Sequence, residues 1–284
     1  YATRAAQYQY PSRRISAKAR HRFFVAARAT DLGLKMNITS TKWPCPGKSL
    51  HSVIEASFDV NDIRNAAAIA EAKVNFINAH NPGGILRSPD VIKNRIIAGK
   101  LADSAVLAMI EQCIAYWGLS DLYAVREYDK HRSDNFENPD PYDLEIINFR
   151  TQEIKTIEVR SSFCYRLAPV SKIVEKLSVY GWYTSANKPA EPPRDWYFQV
   201  IYYLRPSDIE NQFGINVGVF EDQLYNGSVT AYVVGGAPRP LLETAGINRT
   251  DQDGASYRSI YPVCRAYDCI EMLNAVLGRN GSGV

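Results

Sequence analysis

Two short apolar segments separated by a polar run hold the residues of this chain best placed to do chemistry. Asp143-Leu144-Glu145-Ile146-Ile147 and Ile157-Glu158-Val159-Arg160-Ser161-Ser162 each alternate apolar and polar residues, and Asn148 to Glu153 interrupts the alternation. The pattern predicts two antiparallel strands joined as a hairpin. With the turn centred near Thr151 and Gln152, Asp143 falls opposite Arg160 and Glu145 opposite Glu158. Side chains alternate across a strand, so Asp143, Glu145, Glu158 and Arg160 share one face while Leu144, Ile146, Ile157 and Val159 share the other. The apolar face belongs to a core. The charged face is either a set of cross-strand ion pairs, each contributing about 0.2–1 kcal/mol, or a site where paired carboxylates and a cation act together.

The order of these residues resembles the PD-(D/E)xK nuclease superfamily: an Asp opening an apolar strand, then, after a hairpin, an acid, any residue and a cation on the next strand. The resemblance implies that Asp143 and Glu158 bind Mg²⁺ and that Arg160 stands where the motif has its lysine. Arginine stays protonated and cannot be a general base, but it can orient the attacking water and stabilise a pentacovalent phosphate. A literal Glu153-Ile154-Lys155 and a literal Pro139-Asp140 are also present. Glu153 sits at the turn end of the hairpin, roughly 20 Å from Asp143 or Asp140 at about 3.3 Å per residue, too far to share an ion. Asp140 is held in reserve, since a strand start can slip by a few residues.

The flanking elements must position this hairpin. Ser88-Pro89-Asp90 is an N-cap, a proline at the first helical position and a first-turn acid, and Gly118 is a stop, which predicts one long helix between them. Val91, Ile92, Ile96, Ile97, Leu101, Val106, Ile110, Cys113, Ile114 and Trp117 recur near helical spacing. The resemblance implies that such a helix precedes the catalytic hairpin and lends an acid to the site, Asp103 first and Glu111 second. Asp195 to Leu204 reads as a buried strand bounded by prolines, and its Gln199-x-x-x-Tyr203 is treated as a chance match to a motif carried elsewhere on helices. Val229 to Val234 is a further strand closed by Gly235-Gly236-Ala237-Pro238, and Tyr267 to Leu277 an amphipathic helix. Interleaved strands and helices predict an α/β fold with a central mixed sheet, which the resemblance refines to a restriction-endonuclease-like αβα sandwich.

At 284 residues and 46% hydrophobic the chain can bury a sizeable core, and its longest apolar run falls far short of a membrane span. Residues 1–82 read as a basic arm with an accessory segment and 83–284 as the core with its recognition elements. No signal-peptide pattern is visible. Cys45, Cys113, Cys164, Cys264 and Cys269 form no zinc or disulfide pattern, so the expectation is a reduced, cytoplasmic protein. Gly47-Lys48-Ser49 lacks the earlier glycine of a phosphate loop, and Pro44 and Pro46 remove amides, so no nucleotide cofactor is expected. None of the four histidines sits in a recognisable hydrolase motif.

Charge is unevenly spread. Residues 1–35 hold eight Arg or Lys against Asp31 alone, so this stretch is +7 within a chain of net +3 and the remainder is −4. A basic arm on an acidic body suits a polyanion. Arg13 and Arg14 in the arm, and Lys188 and Arg194 among aromatics after the hairpin, are candidate DNA contacts. Taken with the resemblance, the expectation is a Mg²⁺-dependent endonuclease for duplex DNA, of type II restriction kind and homodimeric so that two sites cut two strands. The alternatives are a nucleic-acid-binding module of the same fold without catalysis, for which Arg160 is the argument, and a repair nuclease for structured substrates.

Overall fold

The computed structural model describes residues 36–81, 84–165, 167–184, 191–204, 210–211, 214–250 and 255–279. In chain order these form β1 (Asn37–Cys45), β2 (Lys48–Ser57), α1 (Val60–Lys73), α2 (Pro89–Tyr116), β3 (Tyr123–Glu127), β4 (Leu144–Asn148), β5 (Glu153–Cys164) and α3 (Ile173–Lys176). There follow β6 (Val179–Tyr183), β7 (Trp196–Leu204), β8 (Glu210–Asn211), β9 (Gly214–Ile215), α4 (Phe220–Tyr225) and β10 (Val229–Pro238). The last elements are α5 (Arg239–Ala245), β11 (Ile247–Thr250), β12 (Ser256–Ile260) and α6 (Cys269–Val276). The fold is α/β, built on a mixed seven-stranded sheet of order β1-β2-β10-β7-β5-β4-β3, with β5 and β7 parallel and every other neighbouring pair antiparallel.

Strand alternation divides the interior in two. Along β7, Phe198, Val200, Tyr202 and Leu204 enter one core and Tyr197 and Ile201 the other, which is why this strand reads as a continuous apolar run. The first core lies beneath α1, α2, α4 and α6; the second is closed by α3, α5 and the small sheet β11-β12-β6. Residues 37–73, assigned from sequence to an accessory segment, pair and pack into this same sheet and core through β1, β2 and α1.

The long helix is as expected. Ser88 Oγ accepts from Val91 N at 3.3 Å, Pro89 is the first helical residue, and Gly118 stops the helix at φ +65°. β10 instead runs past the glycines expected to close it, with a register shift between Val233 and Gly236. Those glycines permit a close approach: a Cβ on Gly235 would lie 2.1 Å from Tyr267 O and one on Gly236 2.0 Å from Tyr197 O. Cys45 and Cys264 are joined as a disulfide across a sequence separation of 219, which overturns the all-thiol expectation. Spacing could not show this pairing, since it depends on tertiary proximity alone. Among the described residues no helix is long and apolar enough to cross a membrane.

Candidate active site

The hairpin forms as expected, but in a different register. Leu144 pairs with Ile157, Glu145 with Thr156 and Asn148 with Glu153, so continuing the ladder sets Asp143 opposite Glu158. The expected pairings of Asp143 with Arg160 and Glu145 with Glu158 are thereby corrected. Local chemistry at the turn is the cause. Asn148 Oδ1 accepts from Arg150 N at 3.0 Å and Thr151 N at 3.2 Å, and Gln152 takes φ +58°, closing a four-residue loop one position earlier than expected.

The corrected register brings the two carboxylates face to face. Asp143 N donates to Ile157 O at 3.2 Å, and Asp143 Oδ2 accepts from Val159 N at 2.7 Å, fixing the carboxylate across the strand ends. Glu158, 9% exposed, lies with Oε1 3.1 Å from Arg160 Nη1 and Oε2 3.7 Å from Arg194 Nε. Arg194, a candidate outer contact from sequence, therefore sits inside the cluster. Arg160 also touches the Glu191 carboxylate, donates from Nε to Gly181 O at 3.2 Å, and packs 5.6 Å from the Tyr257 ring centroid. Glu145 belongs elsewhere, accepting from Tyr142 Oη at 2.8 Å and lying 3.9 Å from Arg126.

Helix α2 delivers a second group to the same place. Asp103, 2% exposed, lies close enough to Asp143 for the two carboxylates to repel, and Lys100 Nζ lies 2.6 Å from Asp103 Oδ2, 2.6 Å from Asp129 Oδ2 and 3.7 Å from Glu127 Oε1. Glu111 is half-buried further along the helix, where its charge interacts with Lys130. Asp140, the reserve ligand, is occupied otherwise: it pairs with Lys73 at 2.5 Å and with Arg132. Gln199 ties strands together, its amide donating to Arg160 O at 3.1 Å and Ser162 Oγ at 3.2 Å while its Oε1 accepts from Tyr180 N at 3.1 Å. Arg13, Arg14 and Lys188 lie outside the described residues.

Sequence reasoning missed Lys100, Glu127, Asp129 and Glu191. Lys100 left a readable signal: a lysine amid Ile96, Ile97, Ala98, Leu101 and Ala102, three residues before an acid on the same helix. The others come from strand ends and loops that only the fold brings together.

The electrostatics are those of carboxylates crowded out of water. Burial pushes Asp143 up, against the pull of Lys100 and the Val159 amide. Burial and then Asp143 push Glu158 well up, and burial and Asp143 do the same to Asp103. A cation at Asp143 would relieve its repulsion with Glu158 and with Asp103. Among the described residues no three His, Cys, Asp or Glu are arranged as a ready metal-ligand set. The donor chemistry nonetheless fits Mg²⁺, a hard ion that needs only one or two carboxylates and completes its shell with water and phosphate. Asp103 Oδ2 is engaged by the Lys100 ammonium at 2.6 Å, so it could join an ion only in place of that contact.

The site is thus a buried cluster of acids and cations at the end of a β-hairpin, backed by one long helix of an α/β protein. No family model matches the chain, and no solved structure matches it. An uncharacterized protein of Methanocaldococcus jannaschii is 25% identical over 251 residues, covering 81% of this chain and 87% of that protein.

Proposed function

We propose that this protein is a Mg²⁺-dependent endonuclease for duplex DNA with a restriction-endonuclease-like αβα fold. The observation that carries the reading is the facing of Asp143 and Glu158 across the hairpin, with Arg160 two residues on and Asp103 brought alongside by α2. The mixed sheet and the helix running ahead of the hairpin support the fold assignment.

Asp143 and Glu158 would hold the metal, which supplies a water of lowered pKa and neutralises the scissile phosphate. The Val159 amide holds the Asp143 carboxylate in place, so little reorganisation is needed there. Arg160 stabilises charge developing on the phosphate, and the acids around it keep its guanidinium protonated against the pull of burial. Sequence-specific cleavage by a homodimer, with a site for each strand, belongs to the same reading. So does a cytoplasmic setting, although the Cys45–Cys264 disulfide is unusual for that compartment. Incubation with long duplex DNA, with and without Mg²⁺, followed by sequencing of the ends, tests the proposal; full activity in EDTA would refute it.

A second reading has its own observation. Arg160 is already engaged by Glu158, Glu191 and Gly181 O, the arrangement of a side chain fixed in the fold. A nucleic-acid-binding module without catalysis would bind duplex DNA and leave it intact with any divalent metal.

Two further results are expected. Glu153→Ala should cleave nearly normally, because Glu153 is exposed and, among the described residues, its carboxylate pairs only with Lys155 at 3.3 Å; loss of cleavage there, with Glu158→Ala still active, would move the site to the turn. Deleting residues 1–22 removes Arg4, Arg13, Arg14, Lys18, Arg20 and Arg22, which lie outside the described residues. If these cations meet phosphates, the salt dependence of DNA binding flattens by up to about five log-log units while the cleavage sites stay the same. An unchanged slope would show that the arm does not contact DNA.

A further inference from the structure

The most unusual group in the molecule is a lysine ammonium buried among carboxylates. Lys100 is 7% exposed and stands midway along α2, a helix whose neighbouring side chains are almost all apolar core. Its Nζ lies 2.6 Å from Asp103 Oδ2, 2.6 Å from Asp129 Oδ2 and 3.7 Å from Glu127 Oε1, and its charge also acts on Asp143. These acids come from α2, the end of β3, the connection that follows it, and the start of β4. Their charges therefore converge on the Lys100 ammonium, although Glu127 also has Lys130 at 3.0 Å. Asp129 has other cations to hold it, Lys73 at 3.1 Å and Arg132 at 3.0 Å. Asp103 has no other cation within ion-pair distance among the described residues, so Lys100 alone offsets its charge there.

We propose that the Lys100 ammonium is the internal counter-cation of the acid site in the metal-free protein, and that a divalent ion binding at Asp143 and Glu158 competes with it for Asp103 and Asp143. This inference rests on the proposed metal site and adds its regulation. In the metal-free protein Lys100 offsets carboxylates that would otherwise repel one another in a low-dielectric setting. A divalent ion entering beside it meets a like charge a few ångströms away, a repulsion that is large where water is excluded. The divalent ion and the ammonium therefore oppose each other. When the metal binds, Lys100 retains Asp129 and Glu127 as partners, both on the side of the cluster away from Glu158 in the chain's strand order. Metal affinity is set low by this built-in cation, and Asp103 becomes a ligand only as Lys100 gives it up.

The test is binding of Mn²⁺ or Ca²⁺ alone, without DNA, followed by calorimetry and by the metal-dependent rise in melting temperature. Wild type should bind weakly. Lys100→Met, which keeps the length of the side chain and removes the charge, should bind at least about tenfold more tightly, as expected for removing a like charge at close range. It should melt below wild type without metal and gain more from metal than wild type does. Should Lys100→Met fail to fold, Lys100→Gln, which also removes the charge but can still donate hydrogen bonds to the acids around it, gives the same comparison. Equal or weaker metal binding in the charge-removed variant would overturn the inference while leaving the metal site standing. If neither wild type nor variant bound metal, the nuclease reading itself would fall.

Discussion

Asp143→Asn and Glu158→Gln should each reduce DNA cleavage by about a thousandfold or more, because losing a charged metal ligand forfeits several kcal/mol of transition-state stabilisation at about 1.4 kcal/mol per factor of ten. The amide variants are the right probes here. From sequence these acids belong to an open polar face where alanine would be harmless to folding, but Glu158 is 9% exposed and Asp143 accepts the Val159 amide at 2.7 Å. Alanine at Asp143 would leave that amide without its acceptor, which costs about 1–3 kcal/mol for a buried donor. Asparagine can keep the hydrogen bond through its Oδ1 while removing the charge. DNA binding should survive in both variants, because each change removes a negative charge and no phosphate-binding cation, so gel-shift affinity near wild type with cleavage abolished is the expected pair of results. Cleavage within tenfold of wild type in both would rule out the site.

The largest loss of stability should come from Asp129→Ala. Asp129 is the hub of the ion network that pins the β3–β4 connection: its side chain is 3% exposed and meets Lys73 at 3.1 Å, Lys100 at 2.6 Å and Arg132 at 3.0 Å. Removing it leaves buried cations with fewer partners, and breaking a buried pair by deleting one member costs about 3–5 kcal/mol. Arg126, half exposed and 3.9 Å from Glu145, offers the contrast: Arg126→Ala should change stability by about 0.5 kcal/mol or less. Urea unfolding at neutral pH distinguishes the two. Burial works against the Asp129 charge, yet Lys100 and Lys73 outweigh it and hold the carboxyl below its ordinary value. A depressed acid contributes stability that is complete above the unfolded pKa and lost as pH falls through the folded one. The difference between wild type and Asp129→Ala should therefore shrink on acidification. A constant difference would mean that packing, not charge, was lost.

Much of the architecture was legible because local rules and tertiary demands agree. Ser88, Pro89 and Gly118 bound the long helix by capping, fixed φ and left-handed geometry, which neighbours in sequence decide. The apolar run of β7 announced a strand buried on both faces, and the alternation in β4 and β5 announced the hairpin. Placing Asp143 and Glu158 on one hairpin required only that two strands meet.

Their register required more. Asn148 capping its own loop and Gln152 at φ +58° move the turn centre by one residue and the pairing by two, so that Asp143 faces Glu158, and a two-residue slip keeps the alternation and cannot be read from it. The β10 strand continues past Gly235 and Gly236 because Tyr267 and Tyr197 approach closely there, a fact of packing. Asp129 and Glu191 could not be assigned to the site from the chain alone, and Lys100 left only its place amid apolar helix residues as a signal. A charged residue on a helix or in a loop is ordinarily solvated, and only when α2, the β3–β4 connection and the segment before β7 converge does burial turn those charges into obligatory partners. Sequence by itself determined which segments become strands and helices and which acids the hairpin carries, since these follow from periodicity and turn chemistry. The tertiary structure decided which cations meet those acids, because charge pairing in a low-dielectric interior depends on distances between segments far apart in the chain.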